Sequence, residues 1–140
     1  MKLRERVLED LAALGHEAVD LGTDQPEPRI DYPDKALELG RALLAGDADR
    51  GILICGSGVG ASVAAAKIPG IRAAICHDIY SAHQGVEHDD MNVLCLGSEV
   101  VGPELAADLI KAFLGAKFIG GGRYERRLEK VKEIEEMRNG

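Results

Sequence analysis

The sequence predicts an α/β fold, a mostly parallel sheet with helices on both faces. Three observations carry this. Short strand candidates are separated by helical segments, the pattern of parallel strands joined by crossovers. The strands read as continuous apolar runs, as a sheet covered on both sides requires. A glycine-rich turn also follows one strand directly and leads into a helix, and such sheets bind ligands at the carboxyl ends of their strands. The length of 140 residues, 15.0 kDa, with 46% hydrophobic and 29% charged residues, suits one domain spanning 1–140.

The elements follow in order. Residues 1–14 place Leu3, Val7, Leu8, Leu11 and Leu14 on one helical face, and Gly15 stops them. Residues 18–21 form a short strand candidate ending at Gly22. Three prolines between 23 and 33 argue against regular structure there. A helix starts near Pro33, suited to a first turn, and runs to about Ala45 with Ala36, Leu39, Leu43 and Leu44 inward. Residues 51–55 (GILIC) are a buried strand, and the turn GSGVG leads into a helix over 61–67. A strand over 72–76, a short helix over 79–84 and a last strand over 92–96 come next. Gly102 and Pro103 open a helix over 104–114. The bend at Gly120, Gly121 and Gly122 precedes a charged helix with Leu128, Val131, Ile134 and Met137 as its apolar line.

Charge narrows the partners. Lys and Arg number 17 against 24 Asp and Glu, a formal net charge of −7. A negative surface repels phosphate backbones and anionic lipid, so neither nucleic acid nor membrane is expected. The apolar runs are too short to span a bilayer, and the charged start MKLRERVLEDL is no signal peptide. Cys55, Cys76 and Cys95 stand too far apart for a CxxC motif, and their odd number fits a reducing cytoplasm.

Each chemical motif has a bland rival. The glycines of GSGVG let several N–H groups point at one anion at a helix N-terminus, or simply make a tight turn. It is neither a Walker loop nor a full dinucleotide fingerprint. Cys55 sits at the strand end, where a helix N-terminus favours thiolate; the usual fate of cysteine is burial, and Cys76 and Cys95 are assigned to it. His88 lies in a polar loop before a strand, with carboxylates near to orient it; a lone loop histidine is more often only solvated. His77 and Asp78 read as structural capping. Arg123, Arg126 and Arg127 suit phosphate binding, though pairing with Glu125, Glu129 and Glu133 competes, above all for Arg126. The line Leu128–Val131–Ile134 needs burial, which a partner subunit would supply.

Together, ILICGSGVG, IPGIRAAIC, YSA, HDDMNVL and GGRYERRLEKVKEIE, with VDLGT and IDYPD upstream, resemble in order and spacing the type B ribose-5-phosphate isomerase and galactose-6-phosphate isomerase subunit family, over essentially the whole chain. The resemblance implies a Rossmann-like three-layer sandwich with a C-terminal dimerisation helix. It implies aldose–ketose isomerisation of a sugar phosphate, of the ribose 5-phosphate/ribulose 5-phosphate type, without metal or cofactor. The assembly it implies is a homodimer or homotetramer with the site at the subunit interface.

Position by position, Cys55 matches the cysteine that moves a proton between sugar C1 and C2. Gly56, Ser57, Gly58, Val59 and Gly60 match the loop that steadies the enediolate, with Ser57 counted in the catalytic set. His88 matches the ring-opening histidine, Asn92 a substrate-binding asparagine, and Arg123 and Arg127 the phosphate-binding arginines. Tyr32 matches a tyrosine at the pocket rim. Isomerisation needs a base, an oxyanion site and a cationic grip, and these residues supply them.

The chain departs from the family pattern at several positions. Asp89, grouped with the substrate-binding residues, stands where asparagine is common; Glu99 replaces an arginine, Ala66 an asparagine and Tyr124 a histidine. Family members also begin with a strand and an Asp-His-Ala-Gly segment, and this chain starts just after that point, so a longer natural chain or a rearranged sheet is expected. The segment HDIYSAHQGVEHDDMN resembles the branch acting on four-carbon sugar phosphates. Four- or six-carbon substrates, and a non-catalytic sugar-phosphate-binding paralogue, are the alternative readings. A nucleotide-binding regulatory domain would need a base pocket or metal ligands, and the sequence offers neither.

Overall fold

A computed structural model describes residues 3–22 and 31–137. Its helices are α1 (Leu3–Ala13), α2 (Tyr32–Leu44), α3 (Val59–Ala66), α4 (Ile79–Asp89), α5 (Pro103–Gly115) and α6 (Gly122–Met137). Its strands are β1 (Gly51–Cys55), β2 (Ala73–Ile75) and β3 (Val93–Gly97), all parallel, in the order β1-β3-β2. The expected parallel sheet with helices on both faces is present.

Strand alternation divides the core in two. Ile52, Ile54, Ala74, Leu94 and Leu96 face α1, α4 and α5, where Val7, Val86, Leu109, Ile110 and Phe113 complete one cluster. Leu53, Cys55, Ala73, Ile75, Val93 and Cys95 face α2 and α3, against Ala36, Ala61 and Ala65. Every residue of β3 is buried, because among the described residues it alone has a strand on each side. The even/odd split fixes the direction of Cys55, whose side chain leaves the sheet toward α2 and α3.

Several expectations need correcting. Residues 18–21 join no strand; they run along one wall of a cleft of about 980 Å³ whose other wall is β1, so no ladder forms across that gap. The irregular stretch expected from 23 lies, over 23–30, outside the described residues, whereas Tyr32 and Pro33 already belong to α2. Leu14 and Leu44, expected inward, are exposed. The helix expected to stop at Gln84 continues through Gly85 to Asp89. Gly85 is tolerated there because Met91 packs where a β-carbon would stand, 3.1 Å from its methyl group. On α6 only Leu128 is buried; Val131, Ile134 and Met137 are open. Among the described residues no helix is long and apolar enough to cross a membrane.

Candidate active site

β1 ends at Cys55, and the chain turns at once through 56–58 into α3. Gly58 caps that helix in the left-handed region, φ +85°, with its α-carbon pressed against the end of β3. A β-carbon there would stand 3.2 Å from the Leu96 carbonyl carbon, so glycine is needed for conformation and for space. The Gly58 N–H donates to Cys55 Sγ at 3.2 Å, and the Val59 N–H donates to Ser57 Oγ at 3.2 Å. The N–H groups of Gly56, Ser57 and Gly60 make no hydrogen bond to the described residues. A half-buried thiol thus lies beside unpaired donors at a helix N-terminus, a site for a developing oxyanion. Tyr32 lies over this loop, its ring where a Gly60 β-carbon would come within 2.9 Å, and Tyr32 and Cys55 line the same cleft.

The other cysteines are different. Burial pushes the Cys76 thiol up to about 11 and the Cys95 thiol up to about 12, so both stay protonated and unreactive at neutral pH. Asp78 behaves as expected of a cap, accepting from the Ser81 N–H at 2.7 Å at the start of α4.

The remaining predicted residues gather elsewhere. α4 runs back along the sheet, so His88 in its last turn reaches the N-terminal end of β3, whereas Cys55 is at the C-terminal end of β1. A five-residue strand is about 16 Å long, and within one chain the two groups stand at opposite ends of the sheet. His88 is therefore in no loop: it is half-buried in a helix that the left-handed Asp90, φ +53°, terminates. The amide nitrogen of Gln84 can only donate, so His88 Nδ1, 2.9 Å away, accepts and Nε2 carries the proton.

Gly120, Gly121 and Gly122, all at positive φ, swing the chain back over α4, and the Gly121 N–H donates to Glu125 Oε2 at 2.6 Å. The start of α6 then covers His88. The Tyr124 ring stacks on the imidazole, and the Arg123 guanidinium lies 4.9 Å from the Tyr124 ring centroid. Arg123 and Arg127 are exposed one turn apart, and the pairing of Arg126 with neighbouring glutamates does not form among the described residues. Asp89 is exposed beside this group. Asn92 is engaged internally: its Oδ1 accepts from the Arg72 N–H at 2.7 Å and its Nδ2 donates to the Gly70 carbonyl at 3.0 Å. Glu99 sits near Cys55 instead, its N–H bound to the Gly56 carbonyl at 3.0 Å. Among the described residues no group of three or more His, Cys, Asp or Glu is placed to hold a metal ion.

The chain is similar to known sugar-phosphate isomerases. The family described as Ribose/Galactose Isomerase matches residues 1–131. Ribose-5-phosphate isomerase B of Escherichia coli is 46% identical over 137 residues, 98% of this chain and 91% of that protein. D-erythrulose-4-phosphate isomerase of Pectobacterium atrosepticum is 42% identical over 120 residues, 86% of this chain and 79% of that protein. Among solved structures, Clostridium thermocellum ribose-5-phosphate isomerase B superposes with a TM-score of 0.91 at 45% identity, covering 96% of this chain and 90% of the other. The Mycoplasma genitalium ribose-5-phosphate isomerase B with bound ribulose-5-phosphate gives 0.87 at 37% identity, covering 96% and 88%.

Proposed function

The chain belongs to the ribose/galactose isomerase family, and from that premise we propose that Cys55 interconverts an aldose phosphate and its ketose through a cis-enediolate. It is a sugar-phosphate aldose–ketose isomerase. The observation that carries the assignment to Cys55 is the juxtaposition of its half-buried thiol with the N–H groups of Gly56, Ser57 and Gly60, which make no hydrogen bond among the described residues.

In this reading the Nε2–H of His88 gives its proton to the ring oxygen as the C1–O bond breaks, and the C1 hydroxyl proton released as the aldehyde forms passes through solvent to restore the imidazole. The Cys55 thiolate then takes the proton from C2 of the aldose, and charge moves onto the carbonyl oxygen at C1. The loop N–H groups hold that oxyanion, and Ser57 Oγ stands close enough to assist. A proton passes from the oxygen on C2 to the oxygen on C1, and the Cys55 thiol returns its proton to C1, giving the ketose. Fixed donors aimed at developing charge stabilise the enediolate more than the sugar, which lowers the barrier. Tyr32 closes the rim of the pocket, and Arg123 and Arg127 hold the phosphate, with Asp89 and Asn92 beside them.

One chain cannot assemble all of this, because Cys55 and His88 stand at opposite ends of the sheet. The proposed assembly is a homodimer or larger homo-oligomer in which His88, Arg123 and Arg127 of one copy meet Cys55 of another. The open apolar line Val131, Ile134 and Met137 on α6 gives the copies a surface to bury. The odd number of cysteines makes the cytoplasm part of this proposal.

The preferred substrate pair is ribose 5-phosphate and ribulose 5-phosphate. The four-carbon alternative rests on the 42% identity with an erythrulose-4-phosphate isomerase. A panel of four-, five- and six-carbon sugar phosphates, compared by kcat/KM, tests both. Highest turnover on the five-carbon pair is expected; an optimum on the four-carbon pair would favour the alternative, and no turnover on any would leave a binding protein.

A further inference from the structure

His77 follows β2 at the same end of the sheet as Cys55, and neither the loop nor the arginine cluster uses it. In the β2–β3 ladder the Val93 N–H donates to the Arg72 carbonyl, so two steps on the Gly97 N–H would be due to the Cys76 carbonyl. It goes instead to His77 Nε2, at 3.0 Å. A ring nitrogen that accepts carries no proton, so His77 is neutral with its proton on Nδ1.

Gly97 is where this matters. A β-carbon on it would lie 2.6 Å from the carbonyl carbon and oxygen of Ser57, so the two backbones are in direct contact. The next two residues fasten the same loop: the Ser98 N–H donates to the Cys55 carbonyl at 2.7 Å, and the Glu99 N–H to the Gly56 carbonyl at 3.0 Å. The end of β3 is the floor on which residues 55–58 rest, and His77 fixes that floor from its far side.

We propose that His77 is a positioning residue for isomerisation: by accepting the Gly97 N–H it sets the end of β3 against Ser57 and so aims the loop N–H groups at the enediolate. This rests on the reading of residues 55–60 as the proton-transfer site. Loss of the acceptor shifts the donors relative to an oxyanion formed only during reaction, and a misplacement of about 1 Å lowers rate by on the order of a hundredfold. The effect therefore falls on kcat and spares KM, which the distant phosphate grip dominates.

The test pairs spectroscopy with kinetics on the intact protein. Ring ¹⁵N shifts at neutral pH should show His77 as the Nδ1–H tautomer, and the Gly97 amide should lose protection in His77→Leu. That variant should lose about tenfold or more in kcat with KM within about twofold, while His77→Gln, whose side-chain oxygen can accept, recovers most of the loss. An Nε2–H tautomer in the wild type, an unchanged kcat in His77→Leu, or equal losses in the two variants with unchanged melting temperatures would overturn the proposal. If His77→Leu does not fold, the tautomer and the His77→Gln kinetics still decide. Cys55→Ala separates the two ideas: full turnover there removes the parent reading, whereas an inactive Cys55→Ala beside a fully active His77→Leu removes only this one.

Discussion

The Tyr124 phenol ring stacks on the His88 imidazole, with centroids 4.2 Å apart and planes 11° from parallel. A helix that begins at the third of three left-handed glycines thereby lands on the end of an earlier helix, and it brings Arg123 and Arg127 with it. The stack joins the proposed ring-opening group to the proposed phosphate grip as one surface. That surface stands at the other end of the sheet from the chain's own Cys55, so in the proposed reading it serves the thiol of another copy.

The first prediction concerns the proton carrier. Cys55→Ala should reduce kcat by on the order of a hundredfold or more, since a positioned acid–base contributes about that much. Circular dichroism and melting temperature should stay close to wild type, because the side chain is small and half-buried. Ser57→Ala should be milder, as the backbone N–H groups remain. Residual turnover near wild type in Cys55→Ala would move the chemistry to another residue.

Phosphate binding gives the second. Arg123→Ala and Arg127→Ala should each raise KM about ten- to a hundredfold, the loss of a charge-assisted hydrogen bond of roughly 1.5–3 kcal/mol. Inorganic phosphate should lose potency as a competitive inhibitor in the same proportion. Unchanged KM in both variants would place the phosphate elsewhere.

The third follows from the split site. Cys55→Ala and His88→Ala should each be inactive alone, yet their mixture should recover activity after subunit exchange. In a mixed dimer one site carries both defects and the other carries neither. Recovery toward about a quarter of wild-type activity is the statistical expectation for random exchange between equal amounts in independent sites. No recovery, with exchange shown by mass spectrometry, would mean that Cys55 and His88 act within one chain.

How far these features could be read from the sequence depended on where their causes lie. The run GILIC followed by GSGVG is a local signal, and β1, the turn and α3 stand close to where it put them. Cys76 and Cys95 are as buried as their apolar neighbours suggested. The helix expected over 79–84 runs on through Gly85, because Met91 packs against that glycine and no helix end occurs there. The spacing of Ile79, Ala82 and Val86 was the available sign that the helix continues to His88. Residues 18–21 have a strand-like composition, but a strand is defined by its partner, and the cleft separates them from β1. His77, read with Asp78 as a cap, instead accepts an N–H twenty positions away, a partner no local pattern reveals.

The last prediction concerns that cleft. Gly51 N–H donates to the Asn92 carbonyl and the Cys55 carbonyl accepts from the Ser98 N–H, so the odd residues of β1 point their backbone groups at β3. By the alternation of a parallel ladder, Ile52 and Ile54 point theirs the other way, into the cleft bounded by residues 18–21. Ile52 and Ile54 pack into one core cluster and Leu53 and Cys55 into the other, so side-chain packing alone would protect all four amides of β1 to a similar degree. Hydrogen bonding separates them. Amide exchange followed by NMR should find Leu53 and Cys55 exchanging more slowly than Ile52 and Ile54, by about tenfold or more, because only the former are tied to the most buried strand. Equal protection of the four would mean that an additional extended segment pairs with this edge in solution, and slow exchange at Ile52 and Ile54 that disappears on dilution would assign that segment to a second copy.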